Sequence, residues 1–206
     1  MEKPPSTSVR RAGRPRAFDR DQALDIALDL FWRQGFEGTS TAQLTQAMGI
    51  SQPSLYAAFG SKEALFREIL ALYEERYSNF MLDGLARKVP ARDALLSVLL
   101  GAAQQFADTR HALGCMVASG GLEGGAGSAH VFRLLADMRL KAQAAIQQRL
   151  EQAQRDGDLS SKASATTLAA YFALVIQGMS VQARDGASPA LLQSVAELAM
   201  AAWPLQ

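Results

Sequence analysis

Residues 41–62 read TAQLTQAMGISQPSLYAAFGSK, with the spacing of two short helices about a tight turn. Gly49 supplies the backbone freedom for that turn. Leu44, Met48, Ile50 and Leu55 form a small shared core, and the second helix is left as a presented rod. Ser40 is placed to cap the first helix, with Gln43 three positions on to complete a capping box. Ser51 caps the second, where Pro53 is tolerated because the first amide hydrogens of a helix are unpaired. At about 100° per residue, Leu55, Ala58 and Phe59 point inward while Pro53 and Ala57 point outward. Gln52 and Tyr56 lie on one flank of that outward face and Ser54 on the other.

An ordinary solvated helix face is filled with Lys and Glu, and this one is not. Short and neutral side chains suit a face that must approach something closely, such as base edges in a major groove. Gln52 can pair bidentately with adenine, Ser54 with several bases, and Pro53 or Ala57 can touch a thymine methyl. Ser40, Thr41, Ser51, Tyr56 and Lys62 fall around the rim, where phosphates pass and helix N-termini add partial positive charge. A helical hairpin inside a bundle would also explain the glycine turn, but not the bare outward face.

Charge distribution points the same way. The first 20 residues hold Lys3, Arg10, Arg11, Arg14, Arg16 and Arg20 against only Glu2 and Asp19, while the whole chain has net charge +1. A basic arm on a mildly acidic body suits a polyanion met at one end.

The 206 residues are 49% hydrophobic and 20% charged, ordinary for a globular chain. A lone cysteine, Cys115, excludes an internal disulfide and fits a reducing compartment. The longest apolar run, Leu168 to Ile176, is far short of the ~20 residues that span a bilayer, and no apolar segment follows the basic N-terminus. A soluble cytoplasmic protein without membrane contact is expected.

Helical periodicity runs through the chain with no sustained alternation of period two, so the fold is expected to be all-α. A first helix begins after Asp19, buries Leu24, Ala27, Leu28 and Phe31, and ends at Gly35. Ser61 caps a fourth helix that the periodicity carries to about Leu82. Longer helices are expected over 91–108, around Met116, over 128–155, 162–184 and 188–202. The glycine-dense stretch 119–128 is a connector; no lysine follows it and no strand precedes it, so it is no phosphate loop.

Residues 17–70, AFDRDQALDIALDLFWRQGFEGTSTAQLTQAMGISQPSLYAAFGSKEALFREIL, resemble the DNA-binding domain of the TetR family of bacterial transcriptional regulators. Leu30–Phe31, Gly35, Thr39–Ser40 and LYAAFGSKEALF carry the resemblance; Thr45 and Gly60 depart from the residues commonest there. The resemblance implies a three-helix helix-turn-helix domain over 18–73, preceded by a basic arm over 1–17. A larger helical domain over 74–206 would bind an effector and dimerise. It also implies a homodimer on a palindromic operator, released by a small molecule. By position it makes Tyr56 and Lys62 phosphate contacts and assigns Arg14 and Arg16 to the arm along the DNA backbone.

In the C-terminal part, 166–203 reads as two apolar helices about a polar turn, suited to packing on a second copy. Phe106, Met116, Phe132, Leu135, Met138, Tyr171, Phe172, Ile176 and Met179 are candidate walls of an effector pocket or simple core. Cys115 with His111 at i−4 has soft-metal ligand types, but lacks a second cysteine and reads as structural. No nucleophile–base pair is evident, so neither an enzyme, a cofactor nor a metal is expected. A helical dimeric adaptor for protein partners is the alternative to a DNA-binding regulator.

Overall fold

The computed structural model describes residues 19–119 and 128–204. Within them the chain is helical, in the order α1 (Arg20–Gly38), α2 (Thr41–Met48), α3 (Gln52–Phe59), α4 (Lys62–Tyr77), α5 (Asn79–Ala86), α6 (Ala91–Phe106), α7 (Met116–Ser119), α8 (Ala129–Asp156), α9 (Ala165–Arg184) and α10 (Pro189–Ala199). A 3-10 turn over Met200–Ala202 closes α10. Among the described residues no helix is long and apolar enough to cross a membrane. Arg14 and Arg16, and 120–127 of the glycine-dense connector, lie outside the described residues.

The N-terminal caps follow the sequence. Asp19 accepts from the amides of Asp21 and Gln22 at 3.1 Å each. Ser40 and Gln43 form the reciprocal box, at 3.1 Å and 2.8 Å. Ser51 and Ser61 accept from the amides of Ser54 and Ala64. Each such cap is worth about 1 kcal/mol, which matters for helices as short as α2 and α3.

At Gly35 the backbone leaves helical values, with φ 71° and ψ 177°, which kinks α1 and delivers the chain to α2. Thr39 holds that kink. Its side chain is fully buried and its Oγ1 donates to the Gly35 carbonyl at 2.8 Å. Thr39→Val keeps the shape and leaves the carbonyl without that donor, so a loss of about 1–2 kcal/mol is expected. Thermal denaturation should show a Tm lower by roughly 2–8 °C, restored by Thr39→Ser.

One boundary differs from the sequence expectation by more than a helical turn. The fourth helix does not run to Leu82; it stops at Tyr77, and α5 starts at Asn79. Ser78 sits at φ −107° and ψ 3°, and the Asn79 side chain donates to the Glu75 carbonyl at 3.1 Å, offering the backbone an alternative to its own ladder. The change of direction lays α5 against α6, where Gly84 fits so closely that an added Cβ would lie 2.5 Å from Val98 Cγ2.

Two buried clusters result. One joins α6, α8, α9 and α10 around Leu95, Leu99, Phe106, Ile146, Phe172 and Leu192. The other joins α1 to α4 around Phe31, Trp32, Leu44, Leu55, Phe66 and Tyr73, and is completed by Ala112, Met116, Val131 and Leu135 from later in the chain. The helix-turn-helix core is therefore closed by α7 and the start of α8. Arg20–Glu68 at 2.6 Å and Arg76–Asp25 at 2.5 Å pin α4 along α1 at the surface.

Candidate nucleic-acid interface and effector cavity

The turn before α3 is built as its residues require. Gly49 takes φ 67° and ψ 31°, the left-handed region open to glycine, and the amide of Ile50 donates to the Thr45 carbonyl at 3.1 Å. Leu55 and Phe59 anchor α3 at 1% and 4% exposure. Gln52, Pro53, Ser54, Tyr56 and Ala57 are all exposed, on one continuous face. The Ser51 and Ser54 hydroxyls meet at 2.8 Å, and Gln52 Nε2 reaches the Tyr56 hydroxyl at 3.4 Å. These contacts hold the polar tips in place while leaving hydrogen-bonding capacity turned outward.

Around this face, Ser40 is exposed and Thr41 half-buried at the start of α2, and Ser51 is exposed at the start of α3. Lys62 opens α4. Its ammonium lies 4.2 Å from the centre of the Phe36 ring, a cation–π contact that positions the charge. Burial lowers its pKa from the ordinary lysine value, and Glu37 opposes that shift. The next residue, Glu63, is held below the ordinary carboxylate range, chiefly by its hydrogen bond from Arg67. His130 Nε2 of α8 lies 2.6 Å from Glu63 Oε2, and Ser128 donates to Glu37, so α8 reaches the same end of α4.

At the other end of α4 is a cavity of about 460 Å³. It is lined by Tyr73, Glu74 and Ser78 of α4 and its break, Phe80 and Leu82 of α5, Phe106 of α6, Cys115 just before α7, Val117 of α7, Met138 and Ile146 of α8, and Ile176 of α9, with others. Of the nine apolar residues singled out from sequence, Phe106, Met138 and Ile176 meet there. The other six are placed elsewhere. Met116 and Leu135 belong to the helix-turn-helix cluster, and Phe172 and Met179 to the C-terminal cluster. Tyr171 packs at the edge of that second cluster with its hydroxyl 3.4 Å from the Ala199 carbonyl, and Phe132 is half-buried near the start of α8.

Cys115 lies beside Tyr73, and burial pushes both its thiol and the Tyr73 phenol above their ordinary pKa values, so both are neutral at pH 7. His111 stacks on Trp32 at 4.5 Å and has Gln105 and the Ala112 carbonyl within hydrogen-bond reach of its ring nitrogens. No group of three potential metal ligands occurs among the described residues.

The segment between α6 and α7 ties the two regions together, a role that the structural reading of Cys115 did not include. Trp32 Nε1 of α1 donates to the Gly114 carbonyl at 3.2 Å. The next residue, Cys115, donates its amide to Ser180 Oγ of α9 at 2.8 Å while its side chain lines the cavity.

The last two long helices carry a second outward feature. Leu174 and Val181 on α9, and Leu191, Val195 and Leu198 on α10, are exposed. On each helix they recur with helical spacing on one face, opposite the buried Phe172, Ile176, Leu192 and Ala196.

The model of the family described as bacterial regulatory proteins, tetR family, matches residues 23–69. The HTH-type transcriptional repressor ComR of Escherichia coli (strain K12) is 34% identical over 193 residues, 93% of this chain and 92% of that protein. The HTH-type transcriptional repressor BdcR of the same strain is 41% identical over 108 residues, 52% of this chain and 55% of that protein. Among solved structures, a cysteine mutant of the TetR family transcriptional regulator CifR, complexed with 26 bp double-strand operator DNA, is 41% identical. The match covers 93% of this chain and all of that one, with a TM-score of 0.88. Likeness at this identity extends through the cavity-bearing helices as well as the helix-turn-helix, and the chain belongs to the TetR family of bacterial regulatory proteins.

Proposed function

We propose that the chain is a cytoplasmic transcriptional repressor that binds a palindromic operator as a homodimer and is released when a small molecule fills the cavity beside α4. The observation that carries the DNA half is the exposed, short-sided face of α3 on a rigid anchor. Gln52, Pro53, Ser54 and Ala57 read base edges. Ser40, Thr41, Ser51, Tyr56 and Lys62 hold phosphates, and Arg14 and Arg16 lie along the backbone. ComR and BdcR are named repressors and CifR is complexed with operator DNA, which supports the same reading here.

The exposed stripes on α9 and α10 favour the dimer. Two copies joined through them form a four-helix bundle, the arrangement that removes five large apolar side chains of each copy from water. In such a dimer the two α3 helices serve half-sites about one helical turn of DNA apart.

Release follows from α4. Its 16 residues make a rod about 24 Å long, with Lys62 beside α3 at one end and Tyr73 and Glu74 in the cavity wall near the other. A ligand that shifts the cavity end tilts the whole rod and changes how α3 is presented. By linkage, DNA must weaken ligand binding by the same factor. The unit boundary accordingly falls within α4, near residue 73. No catalytic role is assigned to any residue.

The residue assignments are tested by duplex binding across a salt series. Lys62→Ala is expected to weaken binding to all sequences and lower the salt slope by about one counterion, while Gln52→Ala mainly relaxes base preference. Equal binding by wild type and both variants would remove these residues from the interface. Salt-independent capture of protein partners would instead favour the adaptor.

A further inference from the structure

We propose that the cavity takes an uncharged, largely apolar small molecule that enters at the break between α4 and α5. The proposal rests on the reading of this cavity as the effector site and adds the chemistry of the effector.

Each of four helices gives an apolar wall: Phe80 from α5, Phe106 from α6, Met138 and Ile146 from α8, and Ile176 from α9. A volume of about 460 Å³ lies within the ~300–1,000 Å³ usual for small-molecule sites. The uncharged polar groups of the lining are the Tyr73 hydroxyl and the Cys115 thiol, which interact with each other and are neutral at pH 7, with Ser78, Asn79, Gln143 and Gln177. The charged side chains of the lining sit elsewhere. Glu74, Glu75 and Lys141 are exposed, and together with Arg139 the charges of the lining cancel. Arg139 is committed to the structure, its Nη1 donating to the Val117 carbonyl at 2.8 Å.

A cationic guest would give up its water beside Arg139, the half-buried positive charge of the lining, and an anionic one would have to draw Arg139 from the Val117 carbonyl, each at a cost that apolar contact does not repay. An uncharged one loses little and gains the contact of these apolar walls. The entrance fits the same guest. Leu82, 65% exposed, stands at the lip, where the interruption at Ser78 separates two helices that would otherwise be one.

The test is a fluorescence titration of the full chain with two dyes that share one aromatic skeleton. N-Phenyl-1-naphthylamine is uncharged; 8-anilino-1-naphthalenesulfonate adds a single sulfonate. The uncharged dye is expected to bind at least tenfold more tightly, and Ala142→Phe, which fills the cavity from α8, is expected to weaken it at least tenfold. Ala173→Trp, filling from α9, gives the same readout should the first variant fold poorly. Equal or tighter binding of the sulfonate, lost in either filling variant, overturns the proposed chemistry and leaves the effector cavity standing. Dye binding that is absent, or that ignores both filling variants, overturns the cavity as a ligand site altogether.

Discussion

Ala57→Glu is expected to reduce operator affinity at least 100-fold while leaving the fold intact. Ala57 is exposed near the middle of the outward face of α3, between the buried anchors Leu55 and Phe59, so a longer side chain there meets no core. Glutamate is an acceptable helix former, and the cost to stability is a few tenths of a kcal/mol. Against DNA the same carboxylate faces acceptor-rich base edges and flanking phosphates, and like charges brought together at an interface cost several kcal/mol. A hundredfold loss corresponds to about 2.8 kcal/mol, within that range. Ala86→Glu, the same change on the exposed end of α5, is the control and is expected to bind normally. Were Ala57→Glu to bind like the control, α3 would not be the element that enters the groove.

Gly114→Ala is expected to cost about 3 kcal/mol, seen as a Tm lower by roughly 6–12 °C. Two effects add. The residue holds φ 77°, which an L side chain rarely adopts. An added Cβ would also lie 2.7 Å from both the Ser180 carbonyl oxygen and Arg184 Cγ. The carbonyl is backbone and cannot swing aside, so the segment itself must move. That movement pulls on the Gly114 carbonyl that receives the Trp32 indole, and on the Cys115 amide bonded to Ser180. Operator affinity is expected to fall in the residual folded protein, because α1, the cavity wall and α9 lose their common register. By contrast, Gly186→Ala, at φ 95° with nothing near an added Cβ, should cost only the backbone strain, about 1 kcal/mol. A Tm for Gly114→Ala no lower than that of Gly186→Ala would contradict the close fit at Ser180.

The contrast between these two sites explains what the sequence could disclose. The α3 face was legible because every side chain on it is set by local geometry: a cap at Ser51, a turn at Gly49 and a 100° advance that buries Leu55 and Phe59. Cap residues and turn glycines act within four residues of themselves, and α2, α3 and the start of α4 lie where they predict. The break at Ser78 was not legible, since the apolar period continues through Leu82 and only the side chain of Asn79 competes with the helix.

The cavity was less legible still. Phe106 and Phe172 are both fully buried aromatic residues on amphipathic helices, yet one borders the cavity and the other fills the core. Which occurs depends on where α5 and α8 pass, and periodicity along one helix carries no record of that. Gly114 was invisible for the same reason, because its neighbours Ser180 and Arg184 are far along the chain. Trp32 also escaped the stripe assigned to α1, and it proved to be the residue that bonds that helix to Gly114 and stacks on His111 in the segment before α7.

As a TetR-family repressor, this protein is proposed to read a two-fold DNA sequence through α3. Selection of bound duplexes from a random library by the full-length chain tests it most directly. Enrichment of an inverted repeat is expected, with half-sites centred about 10 base pairs, or a multiple, apart, and with the preference at one position in each half-site lost in Gln52→Ala. Recovery of duplexes with no common sequence, or of a motif that Gln52→Ala and Ala57→Glu leave unchanged, would contradict it.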